Sequence, residues 1–208
     1  MRTSHRRSAA VIAVAAAIAL GVAAPATAAQ AARPAVAAAA SSTGVTYAGW
    51  LSDVTAVTDQ AQSYLVQRIA SASSTDRLAI VLDIDNTALA SYFNPTTYPV
   101  PATPTVLTLA KYAAAHGVSV FFVTGRPEAI DPVTLLNLGA VGYPVAGLYS
   151  RDLEDLFTSL ETFKTGARTA IENRGYTIIA NIGNSASDLT GGHAEQTFKL
   201  PDYNGLLD

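Results

Sequence analysis

The sequence of 208 residues has no cysteine. That excludes a disulfide scaffold, a thiolate metal site and a cysteine nucleophile. Charge is also sparse, at 14% of residues, and cations are the scarcer sign: 13 Lys and Arg against 16 Asp and Glu. Three of those cations, Arg2, Arg6 and Arg7, lie in the first 28 residues, which hold no acid. The remainder has ten basic against sixteen acidic residues. Such a surface does not suit nucleic acid or an anionic membrane, whose binding needs clustered Lys and Arg. No apolar run reaches the roughly 20 residues that span a bilayer. The longest, Ala9 to Ala24, follows a basic start and precedes Ala26-Thr27-Ala28. This is the pattern of a cleavable secretory leader over residues 1–28, with a retained anchor as the alternative. Residues 29–44 are Ala-rich without an aromatic anchor or a clean helical period, and are expected to form a mobile tail. Residues 45–208 then suffice for one domain with its own core.

Half of the sequence is hydrophobic, and its apolar residues fall into two patterns. From Trp50 to Ser71 they recur at Leu51, Val54, Val57, Ala61, Leu65 and Ile69, which is helical spacing. Unbroken short runs at 78–82, 118–123 and 177–182 read as strands buried on both faces. A helix is expected from Thr103–Thr105 to His116, capped by Gly117, with others over Asp131–Leu138 and Glu161–Arg174. Shorter extended pieces fall at Gly147–Tyr149 and Thr197–Leu200. Strands alternating with helices predict an α/β fold: a three-layer, Rossmann-like arrangement with a mostly parallel sheet flanked by helices. Only about 30 residues separate Thr87 from Val118, leaving no room for a large cap domain.

In such sheets ligands sit beyond the carboxyl ends of the strands. Polar residues cluster at those positions: Asp83 and Asp85 after the first run, Thr124, Gly125 and Arg126 after the second, and Asn184 and Asp188 after the run at 177–182. Two carboxylates two residues apart repel by roughly 4 kcal/mol at 4 Å in an effective dielectric near 20. They call for a cation or a shared proton, or else form a surface pair capping a helix. Thr124 offers a hydroxyl, and Gly125 allows close approach of backbone amides to an anion, unless the pair marks an ordinary turn. Lys164 is either a point charge for phosphate or a solvated surface residue. Arg126 either contacts substrate or fixes the turn. Tyr92, Phe93 and Tyr98 could stack on a substrate ring, although loop packing is the preferred reading. His116 and His193 have no partner at zinc-site spacing.

The ordered set resembles the haloacid-dehalogenase-like superfamily of phosphohydrolases, and within it the secreted acid phosphatases of the class B and plant vegetative-storage-protein type. The matching stretches are LDIDNTALAS (82–91), YPVPATP (98–104), VFFVTGRPE (120–128), Lys164, IIANIGNSASDLTG (178–191) and TFKLP (197–201). The resemblance implies a phosphomonoester hydrolase with Asp83 as nucleophile and Asp85 as general acid and base, its pKa near the working pH. It implies Mg²⁺ held by Asp83, the Asp85 carbonyl and the terminal motif, Asn184 and Asp188. Thr124, Gly125, Arg126 and Lys164 would hold the phosphoryl group. The partner would be a small phosphomonoester, with no nucleic acid and no membrane anchor after processing; oligomeric state is not encoded legibly. One departure stands out: the family usually has Asp where this chain has Asn184. That predicts either weaker Mg²⁺ binding, an Asp188 shifted onto the ion, or a weakly catalytic storage-type protein. Carbon–halogen cleavage is disfavoured, because it has no need of Asp85 or Mg²⁺.

Overall fold

The computed structural model describes residues 44–208. The expected leader (1–28) and nearly all of the Ala-rich tail (29–44) lie outside the described residues. Helix α1, Tyr47–Ala70, opens the fold, followed by strand β1, Leu78–Leu82, helix α2, Pro104–Ala115, and strand β2, Ser119–Pro127. Then come α3 (Asp131–Ala140), β3 (Gly147–Arg151), α4 (Leu160–Asn173), β4 (Thr177–Gly183), the short α5 (Ala186–Leu189) and β5 (Gln196–Lys199). The sheet runs β3-β2-β1-β4-β5, and every pairing is parallel. The α/β architecture with a parallel sheet therefore matches the pattern of apolar runs. Among the described residues, no helix is long and apolar enough to cross a membrane.

Alternation along β1 explains the layers, since successive side chains in a strand face opposite sides. Leu78, Ile80 and Leu82 join Trp50, Val54, Leu65, Val106, Leu109 and Leu138 from α1, α2 and α3. Ala79 and Val81 face the other way, with Phe121 and Val123 of β2 and Ala167 and Ile171 of α4. Both faces of the central strand are thus covered, which is why it reads as an unbroken apolar run. The local signals at the helix ends also fit. Thr46 caps α1 by accepting from the Gly49 amide at 3.1 Å. Pro104 starts α2, and Gly117 follows its end with φ of +78°.

Two strand bounds differ from expectation. Strand β2 does not stop at Val123 but continues through Thr124, Gly125 and Arg126 to Pro127, with a register shift between Val123 and Pro127. Pro127 pairs with Arg151, which is also why β3 is longer than its apolar part. Trp50 is fully buried, with ring centroids 5.7 Å from Tyr47 and 5.0 Å from Phe93. Phe93 also packs on Tyr47 and Tyr92, so Tyr92 and Phe93 hold the loop to α1 rather than forming a stacking platform. Trp50→Ala should cost about 3–5 kcal/mol of stability, measured by urea unfolding. A loss below about 1 kcal/mol would contradict this packing.

Candidate active site

Strand β1 delivers Asp83 at its carboxyl end, and the Asp83 amide donates to the Ile182 carbonyl of β4 at 3.0 Å. Ile84 turns into the core, fully buried, so Asp83 and Asp85 leave on the same side of it. A tight turn follows. Leu89 donates to the Ile84 carbonyl at 2.8 Å, and Asn86 sits at φ of +55°, a conformation that asparagine tolerates better than most residues.

Asp83 is buried, with 6% of its surface exposed, and Lys164 of α4 is buried with 5%. Lys164 Nζ donates to Asp83 Oδ1 at 3.0 Å and also to Asp188 Oδ1. Lys164 is therefore not a solvated surface residue: it is the cation between two carboxylates. Its burial would lower its pKa, but Asp83 and Asp188 more than offset that and raise it. Two carboxylates and one ammonium leave one negative charge in excess. Accordingly the Asp83 carboxyl is pushed up to about 7, first by burial and then by the charge of Asp188, against the opposing pull of Lys164.

Asp85 has a different environment. Its side chain is 44% exposed. It accepts two hydrogen bonds from Arg126, at 2.8 and 2.7 Å, and a third from the Ser91 hydroxyl at 2.8 Å. Burial alone would raise its pKa, but the Arg126 bonds and charge, with Ser91, hold it below the ordinary carboxylate value. The expectation of a pKa poised near the working pH is thus corrected for the substrate-free chain. The cause is Arg126, which sequence reasoning left between substrate contact and turn support; its planar fork clamps Asp85 instead.

Thr124 is buried, and its Oγ1 accepts from the Arg126 amide at 3.2 Å. Gly125 does not adopt the left-handed conformation of an amide nest. A Cβ there would lie 3.0 Å from Leu160 Cδ2, so its small size serves the approach of α4. At the end of β4, Asn184 and Asp188 are both buried. Asn184 Oδ1 accepts from the Thr87 hydroxyl at 3.1 Å. Asp188 Oδ2 accepts from the Ser185 amide at 2.8 Å, so both of its oxygens are engaged. Gly183 makes this possible: a Cβ there would fall 2.3 Å from Asp188 Cβ.

Three residues that sequence reasoning missed complete the site. Arg168, fully buried, donates to the carbonyls of Asp188 (2.7 Å), Gly192 (2.8 Å) and Thr190. It lies one helical turn after Lys164, a same-face spacing that is the only trace of it in the sequence. Ser91 and Thr87 fall inside the motif but carried no assigned role.

Oxygen donors suited to a hard divalent cation are present. Among the described residues nothing donates a hydrogen bond to Asp83 Oδ2 or to the Asp85 carbonyl oxygen, and Asn184 Oδ1 keeps a lone pair beyond Thr87. No cluster of three or more His, Cys, Asp or Glu side chains forms among the described residues. A cation here would rest on one or two carboxylates, neutral oxygens and water, which is how Mg²⁺ is ordinarily held. The residues fit that group. His116 bonds the Tyr112 carbonyl and His193 bonds Glu172, so both are engaged elsewhere.

A family model for the HAD superfamily, subfamily IIIB (acid phosphatase), matches residues 2–206. The chain belongs to this family. It is 36% identical over 106 residues to the stem 28 kDa glycoprotein of Glycine max, covering 49% of this chain and 42% of that protein. It is 34% identical over 104 residues to acid phosphatase 1 of Solanum lycopersicum, covering 49% and 41%. The matched stretch is thus less than half the length of either plant protein. The class C acid phosphatase of Bacillus anthracis with tungstate bound shares the fold, with a TM-score of 0.55 and 21% identity over 70% of this chain and 67% of that one.

The charge excess has a measurable consequence. The folded chain keeps the Asp83 proton up to about pH 7, whereas an unfolded chain releases it near 4. The stability from this group is complete below about pH 4 and is lost as pH rises through 7. In chelator at about pH 7.5, Asp83→Asn should raise Tm by about 5 °C, and near pH 4.5 by much less, in scanning calorimetry. Equal shifts at the two pH values would contradict the assignment.

Proposed function

We propose that this chain is a secreted, Mg²⁺-dependent acid phosphatase that hydrolyses phosphomonoesters, with residues 1–28 as leader, 29–44 as an Ala-rich tail and 45–208 as the phosphatase domain. The observation that carries this reading is the buried Asp83 with one oxygen on Lys164 and the other uncommitted. Asp83 is then the nucleophile that forms an aspartyl-phosphate, splitting one difficult step into two. Thr124 and Lys164 hold phosphoryl oxygens, with the backbone at Gly125 beside them. Asp83, the Asp85 carbonyl and Asn184 hold the cation. Asp188 serves from behind, by fixing Lys164 and closing the turn at Ser185. When bound, Mg²⁺ would offset the negative charge that the site and the phosphoryl group bring together.

Arg126 has two roles in this reading. In the substrate-free chain it keeps Asp85 ionised. A phosphomonoester dianion competes for the guanidinium. As Arg126 turns to the phosphate, Asp85 loses its clamp, gains affinity for a proton and can protonate the leaving alcohol. It later accepts a proton from the water that hydrolyses the aspartyl-phosphate. Acid conditions favour the first of these steps.

Two measurements test the proposal. The chain should hydrolyse p-nitrophenyl phosphate with Mg²⁺, and lose at least about a thousandfold in kcat in Asp83→Asn or in excess chelator. Absence of turnover across about pH 4 to 8 would favour a storage or ligand-binding protein on the same fold. Arg126→Gln should move the alkaline limb of the kcat/KM profile to higher pH by about one unit, because that limb reports loss of the Asp85 proton in the free enzyme, here without its clamp. An unmoved limb would remove Asp85 from the acid–base role.

A further inference from the structure

The carboxyl-terminal segment reaches the back of the site. Leu207 is 1% exposed, and its carbonyl oxygen accepts from Asn86 Nδ2 at 2.8 Å and from Asn184 Nδ2 at 2.7 Å. A carbonyl can only accept, so both amides must turn their NH₂ groups toward it. The opposite ends then point the other way: Asn86 Oδ1 accepts from the Tyr92 amide at 2.8 Å, and Asn184 Oδ1 faces Thr87. The segment is anchored at several further points. Leu200 donates to the Gly183 carbonyl at 2.8 Å, Leu207 donates to the Asp202 carbonyl, and Lys199 Nζ donates to the Asn184 carbonyl.

We propose that the Leu207 carbonyl is a positioning group that aims the Asn184 carboxamide oxygen at the divalent cation, and that the tail thereby requires an amide at position 184. This rests on the reading of Asn184 as a cation ligand. An aspartate at 184 has no N–H for Leu207. It would set a carboxylate oxygen against a buried carbonyl, and leaving that pair unbonded carries a penalty. The added negative charge, which on its own would strengthen cation binding, is then spent on displacing the tail. Position 184 and the tail are therefore energetically coupled, and the sign of the effect of an acid at 184 depends on whether the tail is docked.

A double-mutant cycle on the full chain reads this coupling. Mg²⁺ and Mn²⁺ affinities are measured by titration calorimetry for wild type, Asn184→Asp, Leu207→Ser and the double variant, with hydrogen exchange of the 200–208 amides in parallel. In the wild-type background Asn184→Asp should leave affinity within about twofold or weaken it, and speed exchange in the tail. In the Leu207→Ser background the same change should tighten binding about tenfold, the scale of supporting-residue effects on metal sites. Equal tightening in both backgrounds would overturn the inference while leaving the metal reading intact. A wild-type chain that binds neither ion would overturn the metal reading, and the inference with it. Should Leu207→Ser fail to fold, exchange in Asn184→Asp decides: faster tail exchange supports the coupling, and unchanged protection overturns it.

Discussion

A lysine ammonium held between two buried carboxylates organises this protein. Lys164 reaches from α4 to Asp83 at the end of β1 and to Asp188 behind β4, so one side chain ties three elements together where the strands end. Ion pairs this deep are stabilising only when their hydrogen bonds are complete, because the desolvation of each charge is large. Here Asp188 is completed by the Ser185 amide, and Arg168 gathers the carbonyls around it. Asp83 alone is left incomplete, with one oxygen free of any donor among the described residues. The parallel sheet makes this possible. It brings residues about a hundred positions apart to a single edge and buries the strands that carry them.

Two carboxylates of one short motif consequently live in opposite surroundings. Asp83 is buried and pushed up to about 7, whereas Asp85 is half exposed and held low by Arg126. The intervening Ile84 enforces the division by turning into the core. A group held protonated and a group held ionised, two residues apart, give the site two different proton affinities from the same side-chain chemistry. The proposed two-step chemistry needs the two states exchanged, which a cation beside Asp83 and a phosphate drawing Arg126 from Asp85 would bring about.

Much of the architecture was legible because burial writes itself into apolar periodicity. The runs at 78–82 and 177–182 became strands at almost those bounds, and Gly117 and Pro104 marked helix ends by their backbone requirements. The candidate site was legible in its residues but not in their partners. Nothing in the sequence distinguishes a buried Lys164 from a surface lysine, or separates Arg126 at Asp85 from an arginine awaiting substrate. Those assignments depend on side chains meeting across about 24 to 81 positions of sequence. Arg168 was invisible for the same reason. The extension of β2 past Val123 was likewise not legible, because Pro127 pairs with Arg151 and draws the segment into the strand, an effect of tertiary pairing that local turn signals do not contain.

The most direct test of the account counts protons. Calorimetric titration of the chain with Mg²⁺ or Mn²⁺ in buffers of different ionisation enthalpy gives the number of protons released per ion bound. If the unbalanced charge at Asp83 is what receives the cation, one ion should bind per chain, with close to one proton expelled near pH 6 and almost none above about pH 8.5. Binding without pH-dependent proton release, or binding unaffected by Asp83→Asn, would contradict it.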